Sequence, residues 1–133
     1  MRRSNRGFTL IEIMIVIAII GIVITVGYPS LTEYMKKGRR AEIAGLLSEQ
    51  AQILERNYSK NNVYTNATGL SSGNDFYTIT QTLADQSFTL TAVRKSGSSM
   101  ATDKCGDFTI NNTGVRGMLN ATAGLTTKDC WGR

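Results

Sequence analysis

The chain contains no histidine, one proline and two cysteines. Without histidine there is no Ser–His or Cys–His nucleophile pair. Two cysteines alone cannot close a structural zinc site. No glycine-rich phosphate loop follows a strand pattern. These absences argue against an enzyme, and no catalytic, cofactor-binding or metal-ligating residue is assigned. Charge is also thin: Lys+Arg 15 against Asp+Glu 10 gives +5. Arg2, Arg3 and Arg6 supply much of that excess before the first apolar run, so the basic balance is weak support for nucleic-acid binding. At 133 residues, one modest domain is expected. About 75 residues follow Tyr58, a core small enough to need a staple or a docked element.

What the chain does have is an apolar run over residues 8–28. About 20 apolar residues span a bilayer as a helix. A cleaved secretory signal is the alternative, but the run is longer than an ordinary signal core. The following YPSLTEYMKK also offers no small-x-small cleavage site. Arg2, Arg3 and Arg6 flank the run more closely than Lys36, Lys37, Arg39 and Arg40, which places the N-terminus inside. Glu12 is the one charge in the run. A carboxylate at membrane depth costs roughly 2.5 kcal/mol or more unless it has a partner or a function. It either reaches the headgroups from the helix end or meets a cation. No Lys, Arg or His lies within the run. A cut after Gly7 would create one, the α-amine of Phe8, about one turn away in the same chain or presented by a staggered neighbour.

The basic leader, Gly7, FTLIE over residues 8–12 and the long apolar helix together resemble the class III signal of type IV prepilins and pseudopilins. The match GFTLIEIMIVIAIIGIV is specific and covers about the first 35 residues. The resemblance implies cleavage after Gly7 by a prepilin peptidase and N-methylation of Phe8. It implies that Glu12 guides assembly by pairing with a neighbour's N-terminal amine. Pro29 lies where the family has a helix-bending proline.

Beyond Pro29 the pattern turns amphipathic. Leu31, Tyr34, Met35, Ile43, Leu46, Leu47, Ala51, Leu54 and Tyr58 form one helical stripe. Lys36, Lys37, Arg39, Arg40, Glu42 and Glu49 fall largely off it. The pattern predicts a nearly continuous helix over residues 8–58. Its weakest stretch holds Gly21, Gly27 and Pro29, since glycine costs about 1 kcal/mol and proline about 3 kcal/mol in a helix interior. Alternation in DFYTITQTL, SFTLTAV and DFTIN, then an NNTG turn and VRGM, predicts three or four antiparallel strands with one apolar face. Helix followed by strands is α+β. The expected organisation is a 1–7 leader, an 8–30 membrane or fibre-core helix, a 31–58 amphipathic continuation and a 59–133 head. Cys105 and Cys130 are expected to pair, given an even count in an exported chain. By the disputed chain-entropy model the bond adds roughly 3–4 kcal/mol. The resemblance adds that such a C-terminal loop, 105–130, is often exposed on pili and serves adhesion or subunit contacts.

Trp131 is expected to pack on the disulfide or head. The basic run at residues 36–40 is expected to be a solvated face near acidic headgroups or paired within a fibre; DNA binding is the alternative. The sequons at Asn66 and Asn120 are too common to carry weight. The resemblance thus implies the type IV pilin fold and a structural subunit of a type IV pilus, most like the minor pilins. It would be an inner-membrane, single-pass precursor with a periplasmic head, later part of an extracellular fibre. The fibre would serve adhesion, twitching motility or DNA uptake. Its partners would be other pilins, the prepilin peptidase and N-methyltransferase, and the inner-membrane assembly machinery. A type II secretion pseudopilin shares the same motif. A single-pass surface binding protein that keeps residues 1–7 is the rival from another class. Mass spectrometry of chains sheared from surface fibres should find Phe8 as the first residue; an intact leader on those chains would exclude processing.

Overall fold

A computed structural model describes residues 5–132. Arg2 and Arg3 of the expected leader, and the terminal Arg133, lie outside the described residues. The chain divides into two compact units, Met1–Met35 and Lys36–Arg133.

In the first unit, α1 spans Leu10–Ile22, a π-helical turn spans Val23–Gly27 and α2 begins at Tyr28. The helix starts two residues later than the sequence pattern predicts because Thr9 is its N-cap. Thr9 is extended at φ −82° and ψ 157°. Its hydroxyl accepts from the Glu12 amide at 3.3 Å, and its own amide donates to Glu12 Oε2 at 2.8 Å. This reciprocal capping satisfies two backbone donors that the first helical turn leaves without partners. Hydrophobic side chains from Phe8 through Val26 stand exposed, on a helix long and apolar enough to cross a membrane.

The stretch expected to be weak stays helical but changes its winding. Pro29 has no amide to offer the Thr25 carbonyl, and the irregular turn lies just before it. The Thr25 hydroxyl donates to the carbonyls of Gly21 at 3.0 Å and Ile22 at 3.1 Å. The sequence marks the place; the form taken is a π turn, an insertion that helices tolerate as a single turn.

In the second unit α2 runs on to Asn61, three residues past the predicted end. Asn62 closes it with φ 59°, the left-handed conformation that asparagine tolerates at a helix C-terminus. Its amide donates to the Tyr58 carbonyl at 2.7 Å. Four strands follow: β1 Tyr77–Ala84, β2 Ser87–Arg94, β3 Asp107–Asn111 and β4 Arg116–Leu119. They form one antiparallel sheet in sequence order, with Ile79 opposite Ala92, Leu90 opposite Ile110 and Phe108 opposite Met118. The predicted alternation holds, since Tyr77, Ile79, Phe88, Leu90 and Ala92 are buried. They share one core with Ile43, Leu47 and Leu54 of α2. The opposite face is threonine-rich: Thr78, Thr80, Thr82 and Thr89 are exposed.

A short helix that the sequence pattern did not reveal, α3 over Thr127–Trp131, follows the sheet. Cys105 and Cys130 are joined, with Cα atoms 5.7 Å apart. Trp131 packs edge-on to Phe108, centroids 5.4 Å apart, and its indole N–H donates to the Gly117 carbonyl at 3.0 Å. Trp131 is thus core. Gly106 carries φ +67°, and a side chain there would collide with the Leu119 carbonyl; only glycine meets both conditions.

One expectation is overturned. Arg40 does not belong to a solvated basic face: it is 3% exposed and faces Asp103, 2% exposed. Two parallel hydrogen bonds join them, Nε to Oδ2 at 2.9 Å and Nη2 to Oδ1 at 2.5 Å. Asp103 lies 63 residues away, and periodicity within a helix cannot foresee a partner at that separation. The neighbouring Arg94 donates to the Asp103 carbonyl and to Asp107. Asp107 also accepts from Asn120. The Tyr77 hydroxyl beside them is buried without a hydrogen-bond partner among the described residues. Burial first, then Asp103, push its pKa up.

Truncating one member of a buried pair strands the other charge. Arg40→Met should destabilise the head by about 3–5 kcal/mol, read by chemical denaturation of the detergent-solubilised chain. Adding Asp103→Leu should recover most of the loss. If the double variant falls as far as the single one, the stranded charge is not the cause.

Candidate functional site

The residues singled out by sequence fall in two places. Gly7 and Phe8 precede α1, and Phe8 is 86% exposed. Phe8, Glu12, Ile13 and Val16 line one apolar hollow on the helix surface, as the i, i+4 spacing dictates. Glu12 therefore has a local role the sequence analysis did not assign: it caps its own helix through the Thr9 amide. A carboxylate accepts more than one hydrogen bond, so capping leaves acceptor capacity for an incoming cation. Pro29 is the second residue of α2, immediately after the π turn. Cys105 and Cys130 sit in the other unit as a buried structural bond.

A further group is one the sequence does not show. The fold gathers lysines from four separated segments at the end of the head where α2 enters it. Lys37 and Arg40 line a surface groove with Asp129, Trp131 and Gly132. Asp129 is held below the usual carboxylate value, first by hydrogen bonds from Thr126 and then by the nearby charges of Lys104 and Lys128. At the adjoining strand end, the Lys95 amide donates to the Phe76 carbonyl at 2.8 Å. The Arg39 guanidinium lies over the Phe76 ring, 4.1 Å from its centre.

Three arginines here are in ion pairs, Arg39 with Glu42, Arg40 with Asp103 and Arg94 with Asp107, and Arg116 lies over the Trp131 ring, 5.2 Å from its centre. The lysines carry the excess. Lys37, Lys95, Lys104 and Lys128 are exposed and Lys36 is half-buried, and Glu42, Asp75 and Asp129 are exposed acids nearby. The far end of α2 carries Glu49, Glu55, Arg56 and Lys60 instead. No spacing rule could have found this group, because only strand pairing and the disulfide bring positions 95, 104 and 128 to position 37.

Comparison with known proteins gives the family of the chain. Residues 2–28 match the prokaryotic N-terminal methylation motif. Residues 29–109 match the family described as type IV minor pilin ComP, DNA uptake sequence receptor. Fimbrial protein EcpC of Eikenella corrodens is 36% identical over 64 residues, 48% of this chain and 42% of that protein. The chain thus spans less than half the length of the curated relatives it first matches. A type IV pilin structure from Shewanella oneidensis superposes with a TM-score of 0.54 at 31% identity, covering 68% of this chain and 98% of that one. The non-core minor pilin PilV of Neisseria meningitidis has the same fold, with a TM-score of 0.57 at 22% identity, covering 70% and 98%. With more than half of its length matched by one profile, and with a methylation motif and a pilin fold, the chain belongs to the type IV minor pilin ComP family.

Proposed function

We propose that this chain is a minor subunit of a type IV pilus, stored in the inner membrane with its head in the periplasm and then built into a surface fibre. The observation that carries the reading is the adjacency of a methylation motif over residues 2–28 to a minor-pilin head. Prepilin peptidase cuts after Gly7, and Phe8 becomes the methylated N-terminus. Assembly then turns on Glu12. Before extraction its carboxylate caps α1; in the fibre it also receives a neighbour's Phe8 amine, offsetting the cost of a charge in an apolar bundle. The π turn before Pro29 is the place where the helix can change length with little loss, since its hydrogen bonding is already irregular. The minor-pilin family match favours the pilus over a type II secretion pseudopilus.

Glu12→Gln can still accept the Thr9 amide, so it removes charge without removing the cap. Its membrane level should equal the parent's, while its amount in sheared fibres should fall by at least about tenfold, because the amine loses its counter-charge. Glu12→Leu should do the same. Equal fibre content at equal membrane abundance would reduce Glu12 to a helix-capping residue.

Within the fibre the head is read as a DNA-binding subunit. The family's description as a DNA uptake sequence receptor and the exposed lysines at positions 37, 95, 104 and 128 support this. Phosphate contacts by lysine make affinity fall with salt. Binding of duplex DNA by the detergent-solubilised chain should therefore weaken steeply with salt. Lys95→Gln and Lys104→Gln should each reduce the log–log slope by about 0.9. Slopes unchanged in both variants would remove these lysines from the interface.

A further inference from the structure

We infer that Thr9 is a positioning residue for leader removal. By capping α1 it stops the helix short of the Gly7–Phe8 bond and keeps that bond extended for the peptidase. This deepens the processing reading and rests on the chain being a substrate of prepilin peptidase.

The bond is hydrolysed when water adds to the Gly7 carbonyl carbon. The C–N bond to Phe8 then breaks. Gly7 leaves as a carboxylate, and Phe8 keeps the electron pair and takes up a proton as the new amine. Attack needs that carbonyl presented to the catalytic groups in one geometry. An extended peptide is gripped through free backbone N–H and C=O groups. Within an α-helix the Gly7 carbonyl would accept from the Ile11 amide, and the Phe8 carbonyl from the Glu12 amide. The chain on both sides of the bond would then be committed to its own helix.

The pressure to wind that far is real. The apolar run begins at Phe8, and a chain in lipid bonds its backbone internally. Glycine at position 7 weakens a helix without stopping it. The stop is Thr9, extended at φ −82° and ψ 157°. Its hydroxyl accepts from the Glu12 amide at 3.3 Å, the same donor that a helix through Phe8 would need. Its carbonyl accepts the first helical bond, from the Ile13 amide at 3.3 Å. Its own amide is held by Glu12 Oε2 at 2.8 Å. Residues 5–8 accordingly lie outside any helix or strand and are exposed. α3 begins with the same box, Thr126 with Asp129, at 3.3 Å and 2.8 Å, so the arrangement forms within one chain. Thr9 is the second residue past the bond. It sets the direction of approach and leaves the bond itself free.

Cleavage of the full chain in detergent by purified prepilin peptidase tests this. Thr9→Val keeps the side-chain shape and removes the acceptor. Its kcat/KM should fall at least about fivefold, the change in population that loss of a typical N-cap brings. Thr9→Ser and Thr9→Asn supply strong caps and should be cut within about twofold of the parent rate. Thr32→Val is the control. It removes a hydroxyl that donates to the Tyr28 carbonyl and should be cut like the parent. By NMR, the Phe8 Cα shift should move toward helical values in Thr9→Val and stay in place in the other three variants. Equal cleavage of Thr9→Val and the parent overturns the inference and leaves processing intact. Rescue by Thr9→Ser but not by Thr9→Asn also overturns it, because the peptidase would then be reading the hydroxyl itself. An uncut parent removes the processing reading and this inference together.

Discussion

Burial of one face of a four-stranded sheet by the second half of α2 is the constraint on which the head depends. A short antiparallel sheet has an apolar face that water penalises at about 25 cal/mol per Å², and the described residues form no second sheet to cover it. Ile43, Leu47 and Leu54, all 0% exposed, cover it from a helix that begins in the other unit. The helix therefore serves two solvents. In the joined helix Leu10–Asn61, α1 exposes apolar side chains on every side, whereas α2 confines them largely to a stripe. The same element that anchors the subunit also completes its core, so the head cannot be cut from the helix without losing part of its interior.

Around that apolar core lies a polar layer that fixes the loops. Arg40 reaches from α2 to Asp103, Arg94 reaches to Asp103 and Asp107, and Asn120 closes on Asp107. Buried pairs of this kind add little net stability over an apolar filling, but they punish any arrangement that leaves a member alone. The Cys105–Cys130 bond is two residues beyond Asp103 and draws α3 in, with Trp131 lodged on Phe108. The disulfide and the ion pairs thus act on the same short stretch. They set where Lys104 and Lys128 stand.

In the first unit a single carboxylate, Glu12, stands in the apolar helix. Glu12 is affordable in an apolar helix because it lies in the first turn and accepts from the Thr9 amide. That local partner explains how the precursor tolerates the charge. It also explains why Gln and Leu are different probes of its role: the first keeps the cap and the second removes it.

The sequence alone determined the parts that depend on near neighbours and on solvent. The apolar run, the motif around Gly7 and Glu12, the stripe of α2, the strand alternation and the weak turn before Pro29 are all written in local spacing. Helix and strand periodicity and bilayer thickness convert that spacing directly into structure. Tertiary structure decided what depends on distant residues. Arg40 reads as one more charge in a basic run, yet it is buried because Asp103 arrives from 63 positions away. α3 is five residues long and too short to leave a periodic signal. The lysines at 37, 95, 104 and 128 are scattered along the chain, and they become a surface only because sheet register and a disulfide bring their segments to one end.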